Sequence, residues 1–395
     1  MDLKDKSLFK QKCFINGEWV NSKSGSTFDV KNPSDLSIIG KMPNCSKEDT
    51  VNAIECAYNS FNSWKNKTGK ERSLLIRRWH ELILENIDDL SLIMTLENGK
   101  PMADSRGEIT YASWFTDWFS EEAKRTYGKT IPSTVKGRRI LTIKQPVGVC
   151  GIITPWNFPA AMITRKVAPA LAAGCSVVIK PPATTPFTAN ALVEIADRAG
   201  IPKGLINLIT VSEKDVSQVG DELCTNKKVK KISFTGSTNV GKLLMSKTAS
   251  TVKKVSMELG GHAPFIVFDD ADLDSAVDGA MANKYRNSGQ VCVSANRIYV
   301  HDSIYDEFAK KFANKSAALK VSDGREKGTQ IGPLITIEAV EKVESHVADA
   351  LDKGANILTG GERDNAGVQF YKPTVLTNIT SKMRIYYEET FGPVA

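Results

Sequence analysis

Apolar positions recur with strand-like and helix-like spacing most clearly between residues 147 and 260. The predicted strands are apolar runs rich in β-branched residues, at 147–153, 175–180, 205–210 and 231–235. A helix-like run follows each strand, at 159–173, 188–199, 216–224 and from about residue 239. Repeated strand–helix units favour a parallel sheet covered by helices, with ligands bound beyond the carboxyl ends of the strands.

The pattern on either side of this region predicts further elements and a domain boundary. Ser46 and Asp49 have the spacing of a capping box before the first upstream helix. The other predicted elements are two helices, a β-hairpin, a strand and two more helices, at about 70–86, 88–97, 126–144, 264–268, 273–286 and 303–318. The boundary is expected near 255–262, which gives two α/β domains spanning residues 1–257 and 258–395.

The composition is that of a globular protein with two or three domains: 395 residues, 41% hydrophobic and 25% charged. No apolar run reaches the roughly 20 residues of a membrane helix, and the charged N-terminus lacks the apolar core of a signal peptide. We therefore expect a cytoplasmic protein without a membrane partner. The net charge of +7 is small for this length. The basic run at 227–231 has no interleaved aromatics, which favours a solvated loop over a nucleic-acid surface.

Cysteine and histidine usage restricts the chemistry further. The seven cysteines are odd in number, scattered and without a C-x-x-C pair, a pattern typical of a reducing compartment. The four histidines are also scattered, so no metal site is expected.

Three residues with complementary chemistry lie in glycine-rich or proline-rich runs. Glu258 precedes two glycines, Cys292 closes a run that begins at Gly289, and Asn157 lies between two prolines. They offer a general base, a nucleophile and an amide donor, which are the parts needed to attack a carbonyl, stabilise an oxyanion and activate water. The structural alternatives are a surface glutamate at a strand end, a buried cysteine and a turn asparagine.

These three runs resemble the signatures of the NAD(P)-dependent aldehyde dehydrogenases. The resemblance extends from the run at 14–19 to the run at 388–393, which is almost the whole chain. Within the family, the runs at 143–146, 162–166 and 265–274 are most similar to succinate-semialdehyde dehydrogenases. The resemblance implies a Rossmann-like cofactor domain and a second α/β catalytic domain. It also implies that the hairpin protrudes and builds subunit contacts in a homo-dimer or homo-tetramer.

The resemblance also implies catalytic roles. Cys292 is the implied nucleophile, whose thiolate forms a thiohemiacetal and then a thioester. Glu258 is the implied base that activates water, a role that suits a partly desolvated carboxylate, and Asn157 is the implied oxyanion donor. Lys166 is expected to lower the thiolate pKa or relay protons, and a solvated lysine on a helix surface is its alternative. Because the chain ends at Ala395 within a family motif, we expect the C-terminal part of the catalytic domain to be missing.

The implied cofactor is NAD or NADP. Its implied binding residues are Ile153, Thr154, Pro155, Trp156, Lys180, Pro182, Ala183, Gly236, Ser237, Gly241, Leu259, Glu389 and Phe391. The glycine turn at 234–241 departs from G-x-G-x-x-G because Thr238 replaces the second glycine, a variant that the family uses. NAD-selective relatives often have glutamate at the position of Ala183. Without that carboxylate a 2′-phosphate is not repelled, and Lys180 and Thr184 could stabilise it, so we expect NADP to be accepted.

Arg165 and Arg286 match the arginines with which succinate-semialdehyde dehydrogenases bind the distal carboxylate of the substrate. Arg165 follows Asn157 on the same predicted helix, and Arg286 lies six positions before Cys292. A guanidinium binds a carboxylate bidentately, although structural pairing with an acid is the alternative. The expected reaction is oxidation of succinate semialdehyde to succinate. The alternatives are a glutarate-type semialdehyde, a broad range of aldehydes, or a noncatalytic shortened subunit.

Overall fold

Two units of the chain are distinguished in the computed structural model, which describes residues 2–395. The first unit contains the chain up to Val30, Gly40–Leu90 and Arg106–Glu258, and the second contains Lys31–Ile39, Ser91–Ser105 and Leu259–Ala395. The sequence predicted a boundary at 257/258 but did not assign the two short upstream segments to the second unit. Contacts distant in sequence hold them there: Gln369 Nε2 donates to the Pro33 carbonyl at 3.2 Å, across 336 positions.

The N-terminal third of the chain contains four short strands and four helices. They are β1 (Cys13–Ile15), β2 (Glu18–Val20), β3 (Thr27–Lys31), β4 (Ile38–Pro43), α1 (Lys47–Trp64), α2 (Gly69–Glu85), α3 (Ile87–Asn98) and α4 (Met102–Glu122). The predicted capping box is confirmed at the start of α1: the Ser46 hydroxyl accepts from the Asp49 N–H, and the Asp49 carboxylate accepts from the Ser46 N–H. The predicted second and third helices correspond to α2 and α3.

An antiparallel hairpin lies within residues 126–144, where the sequence predicted a hairpin. It consists of β5 (Lys129–Pro132) and β6 (Arg139–Thr142), with Thr130 opposite Leu141. Every residue of both strands is exposed, and Leu141 is 72% exposed. The role of this hairpin in subunit contacts stays a prediction.

The predicted alternation of strands and helices is confirmed after residue 147. It consists of β7 (Val149–Ile153), α5 (Ala161–Ala172), β8 (Ser176–Lys180), α6 (Pro186–Arg198), β9 (Ile206–Leu208), α7 (Val216–Thr225), β10 (Val229–Thr235), α8 (Thr238–Ala249) and β11 (Lys254–Glu258). Strands β7, β8 and β9 are buried throughout, which explains why they have continuous apolar runs instead of alternating ones.

The central sheet is mixed, whereas the sequence predicted a parallel one. Its order is β11-β10-β7-β8-β9-β1-β2, and the first five strands are parallel. Strand β1 pairs antiparallel with both β9 and β2. The turn between β1 and β2 has Asn16 at φ 55° and Gly17 at φ 78°. Positive φ at both turn residues matches the twist of a tight hairpin, so Asn16-Gly17 was a local signal for these edge strands.

The second unit contains another α/β series and 3-10 segments of three or four residues. Its elements are β12 (Ala263–Val267), α9 (Leu273–Tyr285), β13 (Ala295–Val300), α10 (Tyr305–Ala317), α11 (Ile337–Asp352), β14 (Asn356–Thr359) and β15 (Val375–Thr377). The 3-10 segments of the chain are Lys6–Leu8, Arg286–Gly289, Asp302–Ile304 and Arg384–Tyr386. Strands β12 and β13 are parallel, and Val267, Val277, Phe308 and Phe312 form a core with α9 and α10. Within residues 2–395, no helix has both the length and the apolar character needed to cross a bilayer.

Candidate active site

The carboxyl ends of neighbouring strands bring several predicted residues of the first unit to one edge of the sheet. Ile153 at the end of β7 pairs with Lys180 at the end of β8. Ile153 also pairs with Phe234 on β10, and Thr235 pairs with Glu258 at the end of β11. Because all these strands are parallel, Lys180 and Glu258 end at the same edge, where ligands of such sheets bind.

Glu258 is more exposed than the sequence predicted. Its side chain is 57% exposed, and its Oε1 atom lies 3.8 Å from a terminal nitrogen of Arg165. The expectation of a partly desolvated carboxylate is therefore wrong for Glu258 in this structure. Strand β11 is the edge strand of the sheet and has only β10 as a neighbour, so it leaves the Glu258 side chain in solvent.

Lys166 is buried in the first unit, so the alternative of a solvated lysine on a helix surface is wrong. Its Nζ atom donates to the Ser233 hydroxyl at 3.1 Å. Burial, together with the Arg165 charge, lowers the pKa of Lys166 to about 8, and Glu258 opposes the shift. This amine can therefore gain or lose a proton near neutral pH.

Arg165, Lys166 and Glu258 line one cavity of about 410 Å³ in the first unit. Ser233 and Ser256, paired across β10 and β11, line it as well. The Arg165 side chain is 30% exposed, and its guanidinium lies 5.7 Å from the centroid of the Phe115 ring. The acid beside Arg165 is thus the predicted base itself. With Lys231, the cavity is lined by three basic side chains and one carboxylate.

Asn157 lies in the turn before α5, not on that helix as predicted. The helix begins at Ala161, after Pro159, and Asn157 is buried with 4% exposure. The helix start has no capping side chain of its own. Instead, Glu108 from α4 accepts from the N–H groups of Ala160 at 2.9 Å and Ala161 at 3.2 Å. This buried carboxylate anchors the turn that contains Trp156 and Asn157.

Lys180 is the last residue of β8, as predicted. Burial lowers the pKa of Lys180 to about 8, with Glu213 opposing the shift. The Thr154 N–H donates to the Lys180 carbonyl at 3.3 Å, while the Thr154 hydroxyl is buried without a hydrogen-bond partner. Pro182 and Ala183 follow and are half-buried. A buried cation and an unsatisfied hydroxyl at strand ends fit an anionic, hydroxyl-rich ligand such as a nucleotide.

The glycine turn after β10 leads directly into α8. A Cβ atom at Gly236 would lie 2.5 Å from the Phe234 ring, which excludes larger residues at this position. Ser237 caps the helix by accepting from the Val240 N–H at 3.4 Å, and Gly241 is buried in the first turn. Ser237 to Val240 are exposed, so the helix N-terminus is open to an anion.

The loop before Cys292 in the second unit has an unusual backbone. Asn287, Ser288 and Gly289 have φ values of 49°, 56° and 74°, three consecutive residues in the left-handed region. Such strain persists only where the surrounding structure enforces it. Three hydrogen bonds do so: the Asn287 N–H donates to Asp104 at 2.9 Å, the Ser288 hydroxyl to the Gly332 carbonyl at 2.9 Å, and the Ile335 N–H to Gln290 at 3.0 Å.

The Cys292 loop packs against the C-terminal run that contains Glu389 and Phe391. A Cβ atom at Gly289 would lie 2.1 Å from the Gly392 carbonyl oxygen. Phe391 has a φ of 58°, and Cys292 is half-buried. The loop and this run therefore depend on each other for their conformation.

Glu389 lies over the glycines that follow Glu258 in the chain. One carboxylate oxygen would be 2.8 Å from a Cβ atom at Gly260, and the other is buried without a hydrogen-bond partner. Burial raises the pKa of Glu389, while a backbone hydrogen bond from Gly261 and the charges of Lys342 and Lys284 oppose the shift. An unsatisfied acceptor of this kind fits a ligand hydroxyl. Leu259 is half-buried, and Arg286, at the end of α9, is exposed.

Sequence reasoning missed several residues of these surroundings. Glu108, Asp104 and Lys284 are charged residues that proved to be buried or to support the loops described above. Glu108 and Asp104 lie on α4, which was not among the predicted helices, and Lys284 lies on α9. No motif marked them, because their partners are distant in the chain.

Comparison with known proteins agrees with the fold and the motifs. The model of the aldehyde dehydrogenase family matches residues 19–395. The chain is 53% identical to a glutarate-semialdehyde dehydrogenase of Pseudomonas putida and 51% identical to the NADP(+)-type succinate-semialdehyde dehydrogenase GabD of Escherichia coli. Each match covers 100% of this chain and 81% of the relative. A crystal structure of an NADP-dependent Escherichia coli enzyme, 51% identical, matches with a TM-score of 0.98 over 100% of this chain and 81% of the other. The chain belongs to the aldehyde dehydrogenase family.

Proposed function

We propose that the chain oxidises a semialdehyde with a distal carboxylate, with succinate semialdehyde as the substrate and NAD(P)+ as the oxidant. The observation that carries this proposal is the Arg165 guanidinium, which lies 3.8 Å from Glu258 and lines the same cavity. A cation beside the general base can hold an anionic substrate group near the reacting carbonyl. The relatives named for succinate and glutarate semialdehyde, at 51% and 53% identity, support the same substrate class.

The first half of the reaction depends on Cys292. Its thiolate adds to the aldehyde carbon, and the Asn157 side-chain amide donates to the oxyanion of the thiohemiacetal. A nicotinamide cofactor bound there would supply the hydride acceptor that oxidation of the thiohemiacetal to a thioester requires. The strained loop from Asn287 to Gly289 fixes the backbone that presents the thiol.

The second half of the reaction depends on Glu258. Its carboxylate takes a proton from water, the hydroxide attacks the thioester carbon, and the acid leaves as the Cys292 thiol is released. An exposed carboxylate has access to this water. Lys166, with its pKa lowered to about 8, is a neighbouring group that can exchange the proton with Glu258 near neutral pH.

Residues at both the strand ends and the C-terminal run fit the cofactor. Lys180 and the turn at Gly236 and Ser237 would hold its adenosine and phosphate groups. Glu389 would accept from the hydroxyls of the nicotinamide ribose, with Phe391 beside the ring. Ala183 offers no carboxylate to repel a 2′-phosphate, and the buried Lys180 ammonium would attract one, so NADP+ should be accepted. Ile153, Thr154, Pro155, Trp156, Pro182, Gly241 and Leu259 would complete the contacts.

Arg165 and Arg286 are proposed to bind the distal carboxylate. The second candidate substrate, glutarate semialdehyde, uses the same chemistry with one more methylene group. It is favoured by the 53% identical relative that is named for it. Comparable kcat/KM values for a semialdehyde and an uncharged aldehyde would instead indicate a broad-range enzyme.

The test is an Arg165→Ala substitution assayed with succinate semialdehyde and with butanal, by absorbance of the reduced nicotinamide. Loss of a hydrogen bond to a charged group costs about 1.5–3 kcal/mol, so KM for the semialdehyde should rise roughly 10–100-fold. Butanal kinetics should change less than about threefold, because butanal has no carboxylate. Arg77→Ala is the matched control, since Arg77 pairs with Asp117 and Glu121 on the surface of α4. Equal effects on both substrates would refute the assignment.

A further inference from the structure

His346 is a buried histidine on α11 that the proposed reaction does not use. Its side chain is 0% exposed. Its Nδ1 atom lies 3.2 Å from the Thr390 hydroxyl oxygen, and its Nε2 atom lies 3.2 Å from a carboxylate oxygen of Glu388. The two partners are 44 and 42 positions away along the chain. His346 therefore contacts the residues immediately before and after Glu389 in the C-terminal run 388–391.

The chemistry of the two partners decides which ring nitrogen carries the proton. Burial and the Lys342 charge lower the pKa of His346, although the hydrogen bond to Glu388 opposes the shift, so the imidazole is neutral near pH 7. Arg384 donates to both carboxylate oxygens of Glu388, at 3.2 and 3.0 Å, and these bonds lower the pKa of that carboxyl. Because a carboxylate only accepts, Nε2 donates to Glu388, and Nδ1 accepts from the Thr390 hydroxyl. One neutral ring thus holds both residues.

The same side of α11 also holds the backbone of the run. Lys342 lies one helical turn before His346, and its ammonium donates to the Glu389 carbonyl at 2.5 Å. Val343 packs closely against the glycine that follows the run, since a Cβ atom at Gly392 would lie 2.6 Å from its side chain. Three neighbouring positions of one helix therefore fix the path of the run on both sides of Glu389.

The Glu389 side chain is directed to a different neighbour from those of Glu388 and Thr390. One of its carboxylate oxygens would lie 2.8 Å from a Cβ atom at Gly260, and the other is buried without a hydrogen-bond partner. Successive side chains of a non-helical segment lie on opposite sides of the backbone. Holding Glu388 and Thr390 against α11 therefore directs Glu389 away from the helix, with one acceptor free.

We propose that His346 is a positioning residue, which holds Glu388 and Thr390 so that the free carboxylate oxygen of Glu389 meets the ribose hydroxyls of the nicotinamide nucleotide. The proposal rests on the function proposed above, because it requires this cofactor at Glu389. Both ring nitrogens of His346 are occupied by the run, so the residue acts only through the run. Its removal should weaken the contacts of that ribose and leave the rest of the nucleotide unaffected.

The experiment measures dissociation constants for the full chain by isothermal titration calorimetry at pH 7.5. The probes are NADP+ and adenosine 2′,5′-bisphosphate, which lacks the nicotinamide ribose, with NAD+ and AMP in their place if wild type binds NAD+ alone. In His346→Leu, the dinucleotide should bind about 3–10-fold more weakly, as expected for the loss of about one hydrogen bond, and the fragment should bind as in wild type. In a Glu389→Ala background, His346→Leu should have no further effect.

Substitutions of Thr390 test the same contact from the other side. Thr390→Val removes the hydroxyl at nearly constant volume and should also weaken binding of the dinucleotide alone. Thr390→Ser retains the hydroxyl and should bind both probes as wild type does. Glu344→Gln is the matched control on α11: its carboxylate pairs with Arg363, outside the run, at 2.7 and 2.8 Å. That variant should leave both dissociation constants unchanged.

The possible results separate this proposal from the proposed function. Equal weakening of the dinucleotide and the fragment in His346→Leu, or no weakening of either, would overturn the proposal while cofactor binding stands. An effect of His346→Leu that persists in the Glu389→Ala background would overturn it as well. If wild type binds neither NADP+ nor NAD+, the proposed function itself fails. If His346→Leu does not fold, as judged by circular dichroism, the Thr390 pair decides, and equal dinucleotide affinities of Thr390→Val and Thr390→Ser would overturn the proposal.

Discussion

Replacing Gly289 with alanine tests whether the Cys292 loop is enforced by its neighbours. Gly289 has a φ of 74°, and an alanine Cβ would lie 2.1 Å from the Gly392 carbonyl oxygen and 3.2 Å from that of Lys284. The left-handed backbone costs a non-glycine residue about 1–2 kcal/mol. Forcing an extra atom into a packed site costs about 1–3 kcal/mol more. The expected loss of unfolding free energy is therefore about 2–5 kcal/mol.

Gly328 provides a matched control in the same unit. It has a φ of 82°, but a Cβ atom there would have no neighbour within 4 Å. Gly328→Ala should therefore show the backbone cost alone, about 1–2 kcal/mol. The difference between the two variants isolates the collision with Gly392.

The assay is thermal unfolding followed by circular dichroism, with turnover measured in parallel. For a unit of this size, each kcal/mol lowers Tm by about 2–4 °C. Gly289→Ala should lower Tm at least about twice as far as Gly328→Ala, and it should lose most of its activity because the loop that presents Cys292 must move. Equal Tm values for the two variants, or full activity in Gly289→Ala, would refute the reasoning.

Two further predictions concern a helix cap and a titrating lysine. Ser46→Ala should lower the free energy of unfolding in urea by about 1 kcal/mol, because it removes the cap of α1. Ser63→Ala, on the exposed face of α1, should stay within about 0.5 kcal/mol of wild type, and equal effects of the two substitutions would contradict the capping argument. Burial lowers the pKa of Lys180 to about 8, so its ammonium is lost as the pH rises through 8. The ratio of the NAD+ dissociation constant to the NADP+ dissociation constant should then fall between pH 7 and 9. Lys180→Ala should abolish this fall. A fall that persists in the variant would exclude Lys180 as its cause.

The strand–helix series was predictable because its physics is local. Buried parallel strands are apolar at successive positions, and glycines and prolines separate them from amphipathic helices. The capping box at Ser46 was equally local. The hairpin of β1 and β2 carried its own signal in Asn16-Gly17, which was overlooked. Likewise Thr336, whose hydroxyl accepts from the Ala339 N–H, marked the start of α11 without being recognised.

The environment of the candidate site was less predictable, because it depends on which elements become neighbours. Glycine and proline runs singled out Glu258, Cys292 and Asn157. Nothing in those runs indicated that β11 would be an edge strand and leave Glu258 exposed. Lys166 and Lys284 lie on helices and resemble solvated lysines by type, yet both are buried. Burial of a charged residue is decided by its tertiary neighbours, so periodicity alone could not identify these two.

The central claim is that Cys292 carries the acyl group and Glu258 releases it by activating water. Mass spectrometry of Glu258→Gln, incubated with succinate semialdehyde and NADP+ and then digested, tests this claim most directly. The account predicts that a succinyl thioester accumulates on the peptide containing Cys292, while the same peptide of the wild-type protein stays unmodified at steady state. An adduct on another cysteine, or wild-type turnover by Glu258→Gln without any adduct, would contradict it.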